Sequence, residues 1–360
     1  MRRLFLSLLF LTPLVALAQD KKPDAKKSDE KKLPRIAIYD PAKLKDDTDF
    51  KTQGEYLTDS MSDQKLGVHA FASGDGTFTV RQMRGGLPGA GWDKPKVDDG
   101  KFGFGTAKRT GDSVVGKVKT GEMGGSAIKG TQDVLNPVTI SDGKLKWGNY
   151  FSDSTITLSR VERKSPTLGE KPPAGAIVLF DKPEDIANWE KCKVEELSDG
   201  KFLGVGGRTK QKFQSFTLHI EFRLPWMPNS TGQQRGNSGV YIQDRYELQV
   251  LDSFGLKGVD NECGGIYKES APKVNMCFPP MTWQTYDIDF TAATFVDGKK
   301  TKPSVITVKH NGVIIHDKLE LKSNTPGGGI TKEVSEPGAI YLQNHGDPVV
   351  YRNIWIVEKK

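Results

Sequence analysis

The sequence predicts an all-β protein in which a two-sheet jelly-roll sandwich follows a smaller β domain. Three observations carry this. Apolar and polar residues alternate with period two in run after run, as strands with one buried face require. Glycine and asparagine turn signals separate those runs. No stretch with helical periodicity exceeds about ten residues, and DKPEDIANWE (181–190) holds only one short turn of helix.

The N-terminus must be set aside before any fold is argued. MRRLFLSLLFLTPLVALAQ has two arginines, an apolar stretch from Leu4 to Val15 and the small-residue pattern Ala16-Leu17-Ala18. This is the form of an export signal over residues 1–18. Its apolar core is shorter than the ~20 residues of a membrane span, so no transmembrane segment is expected and the protein should be exported, periplasmic or extracellular. Residues 19–35 alternate lysines with acids and offer almost nothing to bury, the composition of a disordered charged tether. The formal charge of +7 is therefore misleading. Arg2 and Arg3 leave with the signal and residues 19–34 carry six lysines against four acids, so the part from Arg35 onward keeps about +3. With no basic stripe interleaved with aromatics, nucleic acid is excluded as a partner.

What remains is longer than one core usually spans. SPTLGEKPPAG (165–175) concentrates Pro, Gly and polar residues between two strand-like stretches, which sets a linker at 165–174. In the first domain, 36–164, VHAFASGDGTFTVRQM reads as a hairpin about Gly-Asp-Gly, and short strands recur through Lys101–Ile128 and Pro137–Arg160. GGLPGAGWD (85–93) matches no phosphate-binding spacing. Nothing in this domain assembles into a catalytic set, and its role is left open.

The second domain, 175–360, alternates more strongly. FTLHIEFR puts Leu218, Ile220 and Phe222 on one face and His219, Glu221 and Arg223 on the other. In GNSGVYIQDRYELQVLDSFG, Val240, Ile242, Leu248 and Val250 are core-side, opposite Tyr241, Gln243, Glu247 and Gln249. VKHNGVIIHD turns at Asn311-Gly312, and AIYLQNHG sets Ile340 and Leu342 against Tyr341, Gln343 and His345. The non-core positions hold amides, carboxylates, imidazole and tyrosine but no lysine, which suits a ligand groove better than a solvated face. Arg352, in YRNIWI, has ambiguous parity. Cys263 and Cys277 flank a loop-like segment and could form a disulfide in an oxidising compartment, the alternative being reduced thiols. No Cys/His spacing marks zinc. Glu247, Gln249 and Asp252 form E-x-Q-x-x-D, similar in spacing to the E-x-D-x-x-E of jelly-roll β-glucanases. An amide in the middle cannot share a proton, which weakens a two-carboxylate mechanism.

Several blocks of the second domain, in order, resemble the bacterial 3-keto-disaccharide hydrolase family (3-keto-glucoside-1,2-lyase/3-keto-2-hydroxy-glucal hydratase). They are AIVLFD, FTLHIEFR, GNSGVYIQDRYELQVLDSFG, CGGIYKESAPKVNMCFPPMTWQTYDIDF, KHNGVIIHD and IYLQNHGDPVVYRNIWI. The first domain resembles a glycine-rich β module that precedes such domains. The resemblance implies a concanavalin-like jelly roll that cleaves oxidised (3-keto) sugars by removing the C2 proton, expelling the C1 substituent and hydrating the enone. Glu221, Glu247 and His345 are then the candidate bases or acids. His219, Arg223, Asn237, Tyr241, Gln243, Gln249, Asp252, Tyr267, Lys268, Gln343 and Arg352 are candidates for binding substrate or enolate. No cofactor is evident; a divalent metal ion can replace protein donors at the enolate, with no dedicated ligand cluster to hold it. Two other readings share the fold: a non-catalytic carbohydrate-binding module, and a conventional glycosidase using Glu247 and Asp252.

Overall fold

The computed structural model describes residues 33–58, 65–92, 103–125 and 128–359. The segments expected to be an export signal and, nearly all of it, a charged tether lie outside the described residues, as does Asp93. The chain from Pro34 to Lys360 forms one compact unit, and within it strands dominate.

Eight antiparallel strands run in sequence order from Gly54–Thr58 to Thr155–Val161, and these two pair to close a barrel. The expected hairpin about Gly-Asp-Gly is its second and third strands, Leu66–Gly74 and Thr77–Arg84, with Asp75 and Gly76 at φ 50 and 63. Period-two alternation fills the barrel with Val68, Ala70, Ala72, Phe78 and Val80, so the interior is a packed core. Trp226, from the sandwich, joins that core and donates its indole N–H to Asp47 at 3.1 Å. His69, Phe71 and Arg81 point outward to the sandwich instead. There His69 stacks on Phe254 at 4.4 Å, and Arg81 donates to the carbonyl of Gly255 at 3.1 Å.

The sandwich has two facing sheets. The smaller orders Trp189–Glu190, Arg208–Thr209, Tyr341–Leu342, Ser238–Ile242 and Tyr246–Val250. In the larger, Phe216–Arg223 lies between Trp283–Thr291 and Val350–Glu358. Leu218, Ile220 and Phe222 from the larger sheet meet Val240, Ile242, Leu248 and Val250 from the smaller in one core. Period two then sends their polar neighbours to opposite outer faces. The predicted helical turn appears as a 3-10 helix over Pro183–Asn188.

Residues 165–170 lie along the outer face of the larger sheet. Ser165 bonds Thr285 at 2.6 Å, Thr167 donates to Asp287 at 2.7 Å and the Gly169 N–H donates to Glu221 at 2.5 Å. Cys263 and Cys277 do not form the disulfide that their spacing allows. Both are free buried thiols: Cys263 lies 3.2 Å from the Tyr286 hydroxyl, and Cys277 is 3.5 Å from the Leu251 carbonyl oxygen.

Candidate active site

On the outer face of the smaller sheet, Tyr241 and Glu247 sit directly opposite each other in register. The Tyr241 hydroxyl donates to Glu247 Oε2 at 2.8 Å. Glu247 is 2% exposed, and burial pushes its carboxyl up to about 7 against the stabilising bond from Tyr241. Burial and the adjacent carboxylate raise Tyr241 in turn, so its phenol keeps its proton. Two glycines make room for the pair. A Cβ on Gly239 would lie 2.5 Å from Glu247 Oε1, and one on Gly327, at φ 94, would lie 2.5 Å from the Tyr241 oxygen.

The surroundings are polar and partly uncommitted. Thr325 Oγ1 accepts from the Glu247 backbone N–H at 2.7 Å, while the Tyr267 N–H bonds the Glu247 carbonyl at 3.1 Å. These two anchors lead into a depression of about 270 Å³ lined by Tyr267, Lys268, Lys322 and Pro326. Lys268, at φ 60, holds its ammonium 5.4 Å above the Tyr267 ring. Gln343 donates to Tyr241 at 3.3 Å, yet its own carbonyl oxygen is buried with no partner among the described residues, as is Asn237 Oδ1. Unpaired buried acceptors are costly, and a water or a donor group of a ligand would satisfy them.

His219, Glu221, Arg223 and Arg352 do not join this face. Their strands belong to the larger sheet, so they project from the opposite side of the sandwich. There His219 Nδ1 meets Asp287 at 2.6 Å, and Glu221 accepts from Arg352 at 2.7 Å and Asn353 at 2.9 Å. Burial would push Glu221 up, but the bonds from His219, Asn353, Gly169 and Arg352 hold it at about 2. Burial would lower His219, but Asp287 and Glu221 hold it at about 9. At neutral pH this is an imidazolium between two carboxylates, with neither a free base nor a ready acid among them. Arg223 is likewise engaged, donating to Asp199 and lying 4.8 Å from the Trp283 ring centroid. Glu170, His219 and Asp287 bring possible metal-ligand atoms within 4.8 Å. His219 and Asp287 bond each other and Asp287 also accepts from Thr167, while Glu170, the third member, is exposed, so this group is a ligand cluster that the sequence expectation did not include.

The remaining candidates scatter. Gln243 is no strand residue: with Asp244 it forms the hairpin turn, at φ 53 and 54. Its amide donates to the Phe213 carbonyl at 2.9 Å and accepts from Arg245 at 2.9 Å. Asp252 is buried in an ion pair with Arg235 at 2.6 Å. Gln249 bonds Gln233 at 3.2 Å, and Asn237 bonds the same turn. His345 is exposed in the loop after Tyr341–Leu342.

Residues 175–357 match the family described as the 3-keto-alpha-glucoside-1,2-lyase-like domain. The chain belongs to this family. With it the protein takes its place among carbohydrate-processing enzymes. Two solved proteins from Parabacteroides distasonis, each described as a candidate glycosyl hydrolase, are similar to it. One is 36% identical, with a TM-score of 0.46, over 52% of this chain and 85% of that one. The other is 17% identical, with a TM-score of 0.35, over 52% of this chain and 94% of its own. No curated protein matches.

The family region spans both polar faces, so the choice between them rests on their chemistry. Sequence reasoning passed over the loop Thr325-Pro326-Gly327-Gly328-Gly329 that covers Tyr241, although its three consecutive glycines are visible in the sequence. It also passed over Arg208, whose guanidinium lies 3.8 Å from the Tyr341 ring centroid and bonds Asp244 at 2.7 Å. No local pattern marks it. The larger-sheet network yields a prediction. Glu221→Gln should leave kcat within about threefold of wild type but destabilise the fold by roughly 3 kcal/mol, the scale of a broken buried ion pair. Chemical denaturation beside steady-state assay checks this; loss of turnover in a fully folded variant would move the catalytic centre to that face.

Proposed function

We propose that the protein cleaves 3-keto glycosides by elimination and hydration, with Glu247 as the base. The observation that carries this reading is a buried carboxylate poised near neutrality beside a protonated tyrosine, the property a proton-transfer catalyst at neutral pH needs. A ketone at C3 acidifies the C2 proton because the carbanion delocalises into the carbonyl.

Glu247 takes that proton, and the electron pair enters the carbonyl as an enolate. The Lys268 ammonium offsets the enolate charge. As the enolate collapses, the C1–O bond breaks and the proton on Glu247 passes to the leaving oxygen, giving a 2-hydroxy enone. Water then adds at C1, giving its proton to Glu247, which returns it to C2. Tyr241 orients the carboxylate throughout, and Asn237 and Gln343 accept bonds from sugar hydroxyls. The same reading has the protein exported before it acts.

The conventional glycosidase reading loses its second carboxylate to Arg235, and a pure binding module has no use for a carboxyl held near 7. Incubation of methyl 3-keto-glucoside and its unoxidised parent in heavy water is the direct test. Deuterium at C2 of the product from the keto sugar, with the parent untouched, is the expected result. Cleavage of the parent without exchange would overturn the proposal. Dialysis against EDTA in the same assay tests Lys268 as the electrophile: turnover should persist, and a loss restored by one divalent metal would give that role to the ion.

A further inference from the structure

The loop 325–329 takes no part in the chemistry above, yet it lies across Tyr241, the partner of Glu247. Tyr241 is fully buried and Glu247 nearly so, and a sugar can meet the carboxyl only after a covering segment moves. The loop is tied at both ends to the hairpin turn. The Thr325 N–H donates to the Arg245 carbonyl at 2.9 Å, and the Gly329 N–H donates to Asp244 Oδ1 at 2.8 Å. Between these ties the Pro326 carbonyl oxygen lies 2.6 Å from the Tyr241 hydroxyl. The three glycines that follow leave the backbone free to move.

The phenol has one proton and two acceptors within reach, Glu247 Oε2 at 2.8 Å and the Pro326 oxygen. A carbonyl oxygen and an ionised carboxylate can only accept. With Glu247 ionised, the proton goes to the charged acceptor, which makes the stronger bond. The Pro326 oxygen then faces the phenol oxygen with no hydrogen between them. With Glu247 protonated, the carboxyl donates to the phenol oxygen and the phenol proton turns to Pro326. Gln343 Nε2, 3.3 Å from the phenol oxygen, can donate to it in both states.

We infer that Tyr241 couples the loop to the proton on Glu247, holding the loop down when the carboxyl is protonated and releasing it when the carboxyl ionises. Burial places that change near pH 7. Tyr341 also packs on Tyr241, with ring centroids 5.3 Å apart, and the Asp244–Arg208 ion pair sits at the far end of the loop. Tyr267, Lys268, Glu269 and Lys322 line the adjoining depression. None of these side chains bonds the phenol or the Glu247 carboxyl among the described residues. The switch needs only the ionisation of Glu247, so it does not rest on the catalytic reading. Joined to that reading, it orders the reaction. The ionised base stands in an open site, and taking the C2 proton closes the loop over the enolate. Passing the proton to the leaving oxygen reopens the loop and admits the water for hydration.

The test is hydrogen exchange of the full-length, substrate-free protein, read by mass spectrometry on the peptide containing residues 325–330. Exchange times at pH 5.5 and pH 8.5 are scaled for the intrinsic rise of amide exchange with pH. Wild-type protection should fall about tenfold from the lower to the higher pH, the size of one lost hydrogen bond. Glu247→Gln cannot ionise and should show the same protection at both. Tyr241→Phe should stay at the low wild-type level of pH 8.5 throughout. Exchange of the core strand Phe216–Arg223 reports whether each variant is folded, and either folded variant suffices to decide. Equal wild-type protection at the two pH values would overturn the switch, as would an undiminished pH dependence in a folded variant. Turnover of methyl 3-keto-glucoside by the same proteins separates the two readings. If the loop follows pH in wild type alone and Glu247→Gln keeps full activity, the switch stands and the catalytic reading falls. If Glu247→Gln is inactive and the wild-type loop ignores pH, the switch alone falls.

Discussion

Glu247→Gln is expected to reduce kcat on a 3-keto glucoside by about a thousandfold, within the 10² to 10⁴ that a positioned general base contributes. The replacement keeps the side chain's volume, and its carbonyl oxygen can still accept from Tyr241, so substrate binding and KM should change little. C2 exchange in heavy water should vanish with turnover, because both need the same proton abstraction. Two comparators make the result specific. Glu221→Gln removes an equally buried carboxylate, but one held near 2 by four partners and thus a weak base. His345→Asn removes an imidazole exposed in the loop that follows Tyr341–Leu342. Neither should approach the loss at position 247. If Glu247→Gln retains more than a tenth of wild-type kcat, proton transfer belongs to another group.

Why these three could not be separated in the sequence follows from what alternation encodes. Period two sorts side chains into core and outer face, and it did so correctly for Leu218, Ile220, Val240, Ile242, Leu248, Val250, Ile340 and Leu342, all buried in one core. A sandwich has two outer faces, however, and alternation does not say which sheet a strand joins. Phe216–Arg223 pairs with Trp283–Thr291 and Val350–Glu358, both distant from it in sequence. The unusual polarity of His219 and Glu221 was a true signal of burial, but the burying element is the 165–170 segment, whose composition resembles a linker. Gln243 was misplaced for a local reason: the strand ends at Ile242, and two residues of positive φ reset the alternation. Asp252 shows the limit of spacing arguments. It keeps the distance along the chain of a second catalytic carboxylate, but the strand ends at Val250 and Arg235 claims its charge.

The same variant should also be more stable than wild type above neutral pH. Glu247 has an ordinary value of 4.5 in the unfolded chain and about 7 in the folded one. Its folded form therefore binds the proton more tightly, and between these values the native state carries the larger share of protons. Stability from this group is complete below pH 4.5 and is lost as pH rises through about 7. The full cost is at most about 3.5 kcal/mol, because each pH unit separating the folded and unfolded values is worth about 1.4 kcal/mol. Glutamine does not ionise, so Glu247→Gln escapes that cost. His219 acts in parallel: raised to about 9, its contribution is complete below pH 6.5 and is also lost as pH rises through the folded value. Wild type and variant share that second decline, so the difference between their denaturation curves at pH 5 and pH 8 isolates Glu247. The variant should gain about 2.5 kcal/mol relative to wild type over that interval, while kcat of the wild type rises with pH through about 7 as the carboxylate becomes available. Parallel curves for the two proteins would mean that the carboxyl ionises at its ordinary value and that Glu247 is not a base poised at neutrality.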